Sequence, residues 1–82
     1  MNEIYIHPCE TLKELLKDRH MRAKHLAIKT GYDIDYVKRL LKGEASINKG
    51  FAYALERVFG ISQHFFIRLQ ENYDKEKENK NE

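Results

Sequence analysis

The sequence predicts an all-α fold, five helices behind a short N-terminal arm. Three observations predict it. Apolar residues recur at i, i+3 and i+4 in successive stretches; Gly31, Gly43 and Gly60 each follow such a stretch; and Asp33, Asn48 and Ser62, whose short side chains carry an acceptor oxygen, stand where the next one begins.

The elements follow in order. In residues 1–6, Ile4 and Ile6 share a side if the chain is extended, which suits a strand, a partner-docking segment or a loose arm alike. Pro8 fits the first position of helix one, where its missing N–H costs nothing, and that helix runs to about Arg19 with Leu12, Leu15 and Leu16 inward. Met21 opens the connection to helix two, residues 22–30, which packs through Leu26, Ala27 and Thr30 and stops at Gly31. Asp33 caps helix three, whose stripe is Val37, Leu40 and Leu41 and whose stop is Gly43. Asn48 caps helix four, with Phe51, Ala52, Leu55, Val58 and Phe59 inward before Gly60. Ser62 caps helix five, with a stripe of Phe65, Phe66, Leu69 and Tyr73. One domain is expected over residues 1–74, followed at 75–82 by a mixed-charge tail without apolar residues, expected to fray or be disordered.

Composition narrows the function. A chain of 82 residues buries only about 60–65% of the surface its unfolded form exposes, so help from oligomerisation is expected. Cys9 stands alone and cannot close an internal disulfide, and neither a leader nor an apolar run near membrane-spanning length is visible; a soluble, cytoplasmic protein with no membrane partner is expected. The histidines, His7, His20, His25 and His64, fall in no metal-ligand spacing, so no metal or cofactor is expected. Ser46 and Ser62 lie near turns or caps and no nucleophile elbow or phosphate-cradling glycine loop occurs, which argues against an enzyme. The net charge is only +2, but residues 13–49 hold Lys13, Lys17, Arg19, Arg22, Lys24, Lys29, Lys38, Arg39, Lys42 and Lys49 against Glu14, Asp18, Asp33, Asp35 and Glu44. That basic middle fits a phosphate-contacting surface or, more simply, the solvated face of a lysine-rich protein.

Residues 22–43 have the pattern of a helix-turn-helix. Helices two and three would cross steeply at a turn containing Gly31, and the small Ala27 lets them approach. Around this core, three stretches together resemble HigA-type antitoxins, within the Xre/Cro/lambda-repressor superfamily. They are Ile6-His7-Pro8-Cys9-Glu10 with Leu12-Lys13-Glu14; Leu26-Ala27, Gly31, Val37 and Leu41-Lys42-Gly43; and Phe65-Phe66, Leu69-Gln70 and Asn72-Tyr73-Asp74. The middle stretch is only Xre-like; the outer two narrow the resemblance. It implies a five-helix lambda-repressor-like domain and a small homodimer that binds its own operator, represses its operon and neutralises a co-encoded RelE-like ribonuclease toxin. Three departures stand out. Cys9 replaces the family's usual Gly, Arg22-Ala23 replaces a Ser or Thr followed by Gln used for phosphate and base contacts, and Asp33 and Asp35 put two carboxylates at the start of helix three, where they favour the helix dipole but repel phosphate.

On this reading helix three enters the major groove with Asp35, Tyr36 and Arg39 nearest the base edges, opposite Val37, Leu40 and Leu41. An aspartate can accept from cytosine N4, and an arginine can pair with guanine. Tyr36 either reads DNA or laps over the helix interface without touching a base. Lys38 and Lys42 share a flank and, with Asn48, are candidate phosphate contacts; Arg22 and Lys49 join them through the docking geometry the resemblance implies. Phe65, Phe66, Leu69 and Tyr73 form either a dimer contact that sets two reading helices about 34 Å apart or a cap on the monomer's core, with mixed use expected. Two other functions stay open: a protein-interaction module with weak or no DNA binding, and a stand-alone transcriptional regulator.

Overall fold

The computed structural model describes residues 7–80, with side chains through Lys77; the arm at residues 1–6 lies outside the described residues. Five helices follow one another: α1 (Pro8–Asp18), α2 (Ala23–Thr30), α3 (Ile34–Leu41), α4 (Lys49–Phe59) and α5 (Gln63–Lys80), and no strand occurs among the described residues. None of these helices is long and apolar enough to cross a membrane.

The caps follow side-chain chemistry. His7 Nδ1 accepts from the Cys9 N–H at 2.9 Å, Asp33 Oδ1 from Asp35 at 3.1 Å, Asn48 Oδ1 from Phe51 at 2.7 Å and Ser62 Oγ from His64 at 3.2 Å. Arg22 has only donors and cannot cap α2 in this way. Instead its own N–H donates to His25 Nδ1 at 3.1 Å, one half of a capping box. Gly31 closes α2 with φ +77°, its N–H reaching Ala27 O at 2.8 Å. The end of α1 has no glycine. His20 takes φ +56° there, and the Met21 N–H reaches back to Leu16 O at 2.8 Å, the pattern of a Schellman turn.

Packing joins α2 to α3 and α4, α1 to α3 and α5, and α4 to α5. Leu12, Leu26, Val37, Leu40, Phe51, Ala52, Leu55 and Phe66 are wholly buried, with Leu16, Ala27, Ile47 and Phe59 nearly so. Phe51 and Phe66, the largest of these, bring α4 and α5 onto one apolar centre. Leu15, Leu41, Val58, Leu69 and Tyr36 are partly buried around that centre. Beyond Asp74, where the sequence reading ends its domain, α5 runs on to Lys80. Residues 75–80 are Lys, Glu and Asn, and five of the six, the Lys and Glu residues, are strong helix formers that need no apolar face to extend an established helix.

Candidate nucleic-acid interface

Burial of Val37 and Leu40 decides which side of α3 faces outward. Asp35, Lys38, Arg39 and Lys42 are all exposed, and Arg22 at the start of α2 and Asn48 and Lys49 at the start of α4 are exposed as well. Among the described residues the one ion pair is Lys13 with Glu10 at 3.7 Å, so Arg22, Lys38, Arg39, Lys42 and Lys49 have no internal carboxylate partner there. Not every base in the basic middle belongs to this surface. Arg19 turns away to donate to Phe59 O at 3.4 Å, its guanidinium 5.3 Å from the Phe59 ring, where a cation suits the C-terminal end of α4.

The start of α4 is brought against the start of α3 by aromatic packing. Tyr32 lies edge-on to Phe51 with ring centres 5.0 Å apart, Tyr36 likewise at 5.2 Å, and the two tyrosines are 5.6 Å from each other. The Tyr36 hydroxyl donates to Ser46 O in the loop between α3 and α4. Burial pushes the Tyr36 phenol above its ordinary pKa, against the opposing effect of the Asn48 backbone. Gly50 leaves room for Tyr32: a Cβ there would meet the Tyr32 hydroxyl at 2.5 Å. Tyr36 is thus half-buried, while Asp35 and Arg39 on the same helix are open.

The same loop is held from behind by a residue that sequence reasoning named only as part of a motif. Gln70, 5% exposed, accepts the Ile47 N–H on Oε1 at 2.9 Å and donates from Nε2 to Asp74 at 3.0 Å. A glutamine embedded between apolar helix positions is the one signal that could have found it.

The aromatic stripe on α5 divides. Phe66 is wholly buried in the monomer and has no surface to offer a second copy, because it fills the centre between α4 and α5. Phe65 is 45% exposed, edge-on to Phe66 with centres 5.2 Å apart, and Leu69 one turn on is half-buried. Tyr73 packs edge-on against His7, centres 4.7 Å apart, and so ties α5 to the start of α1.

No protein-family model matches the chain, and no curated protein does. Solved structures do. An antitoxin HigA of Pseudomonas aeruginosa with the higBA promoter superposes with a TM-score of 0.88 at 27% identity, over 90% of this chain and 82% of that one. PA4674 of the same organism, in complex with its 18 bp operator DNA, gives 0.84 at 27% identity, over 89% and 80%. An addiction module antidote protein of a HigA family from Coxiella burnetii gives 0.89 at 32% identity, over 96% of this chain and 87% of that one. With a TM-score of 0.89 and close to a third of residues shared along most of both chains, this chain belongs to the HigA family of addiction-module antidote proteins.

Proposed function

We propose that this chain is a DNA-binding antitoxin: as a homodimer it binds the operator of its own operon, represses it, and neutralises a co-encoded RelE-like ribonuclease toxin. One observation carries the DNA-binding part. Lys38, Arg39 and Lys42 project from α3 with no internal carboxylate partner among the described residues, beside an α4 whose start carries Lys49. Two neighbours of this fold are solved with promoter or operator DNA, which supports the reading.

The roles divide by chemistry. Arg39 and Asp35 are the base readers, for guanine and cytosine N4 respectively. Lys38, Lys42, Arg22 and Lys49 contact phosphates, and Asn48 joins them through its amide NH2, since its Oδ1 is occupied by the Phe51 N–H. The test is a mobility shift on the DNA upstream of the gene, run with and without the neighbouring gene product. Log K should fall with log salt by about 0.9 for each phosphate neutralised. Arg39→Ala should weaken operator binding by about 1–3 kcal/mol and relax preference at one base pair; an equal loss on scrambled DNA makes it a backbone contact, and binding flat in salt removes the phosphate surface.

A second reading, a module that holds the toxin or another protein with little DNA binding, is favoured by Asp33 and Asp35 at the start of α3 and by the absence of a glutamine after Arg22. A stable complex with the neighbouring gene product, but no shift of any duplex, would select it.

A further inference from the structure

Tyr36 stands three residues before Arg39 on a helix whose polar side is open, yet its ring and hydroxyl are committed to the protein. Its ring is packed edge-on to Phe51 and against Tyr32, and its hydroxyl holds Ser46 O. A base reader needs the opposite: a free hydrogen-bonding edge and a side chain that reaches away from its own helix. What the packing does accomplish is to join two elements. The contacts run from α3 to the loop and the first turn of α4, and the room for Tyr32 exists because position 50 is glycine.

Resting on the DNA-binding reading above, we infer that Tyr36 is a positioning residue of the interface: with Tyr32 and Phe51 it clamps the start of α4 against α3, fixing the spacing between Arg39 and Lys49 before DNA arrives, and it reads no base. Two cationic elements grip one duplex only if their separation matches the phosphate path. A loop left free would have to be ordered on binding, which weakens the complex. Residues 43–48 have no helix of their own, and their anchors lie on both sides: Tyr36 holds Ser46 O from α3, and Gln70 holds the Ile47 N–H from α5.

The test is Tyr36→Phe, which keeps the ring and removes the tie to Ser46, with hydrogen exchange on the free protein and binding to the upstream duplex, to single-base-pair variants of it and to scrambled DNA. Exchange at residues 46–49 should rise. Binding should fall about three- to tenfold, the worth of one hydrogen bond, by the same factor on every duplex, and the salt slope should decrease. In a Lys49→Ala background the Tyr36→Phe effect should disappear, because the group it positions is gone. A merely structural residue would not couple to Lys49 in this way. Unchanged exchange at residues 46–49, or an affinity loss confined to one base pair and undiminished by Lys49→Ala, would overturn the clamp and leave DNA binding intact. Failure of the unaltered protein to bind any duplex would overturn both.

Discussion

Gln70 shows how one polar side chain can be worth more than its size. Its carboxamide is nearly inaccessible and satisfies a backbone N–H that the loop before α4 has no other means of pairing, since Ile47 is itself 5% exposed. Gln70→Leu, close in volume, would leave that N–H buried without a partner, at a cost of about 1–3 kcal/mol. Urea unfolding should show that loss with little change in slope; a loss under 0.5 kcal/mol would mean water reaches Ile47 in the folded state. The example also marks where residue-level reading stops. That Val37 and Leu40 point inward is legible from spacing alone, as is the outward direction of Asp35, Lys38 and Arg39. That Tyr36 bends back to Ser46, or that Gln70 reaches Ile47 across twenty-three positions of sequence, depends on tertiary geometry that no local pattern encodes.

Among the elements, the starts and stops were the most legible parts. Asp33, Asn48 and Ser62 cap where an acceptor side chain precedes an apolar stripe, and Gly31 and Gly60 end helices in the left-handed conformation. The end of α1 was not legible in the same way, because no glycine marks it: His20 takes the positive φ, a conformation that histidine enters more often than most side chains but still only rarely. The start of α1 carries its own prediction. His7 accepts the Cys9 N–H on Nδ1, so only the neutral ring can cap the helix, and burial and Lys77 lower its pKa below the usual 6.5 against the opposing pull of Asp74, Glu10 and the Ala45 backbone. A lowered folded-state value means the unfolded chain takes up the proton first. The stability His7 contributes is therefore complete above 6.5 and is lost as pH falls from there through the folded-state value. The melting temperature should drop between pH 7 and 5, and His7→Asn, which caps without titrating, should flatten that drop. An identical pH profile in the variant would show that the cap does not couple to protonation.

The homodimer proposed above needs two copies of α3 one duplex turn apart, about 34 Å. The protomer measures 39 × 22 × 21 Å. End-to-end pairing would set the centres near 39 Å and require α3 to lie toward the partner in each copy, whereas side-by-side pairing would set them near 22 Å and require α3 to lie away from the partner by roughly 6 Å in each. The side of α5 that carries Phe65 and Leu69 offers an apolar surface for pairing: the Phe65 ring is exposed and stands edge-on to Phe66, which is wholly buried behind it. If this is the dimer contact, Phe65→Glu places two like charges near the two-fold axis, where each copy meets itself. Light scattering at micromolar concentration should then report a monomer, with helix content unchanged because Phe65 contributes little to the monomer's core. Operator affinity should fall about a hundredfold, the loss expected when two linked half-site contacts become independent, while binding to an isolated half-site stays the same. A variant that remains dimeric would move the contact off this stripe, and an unaltered protein that scatters as a monomer would remove the dimer from the proposed function.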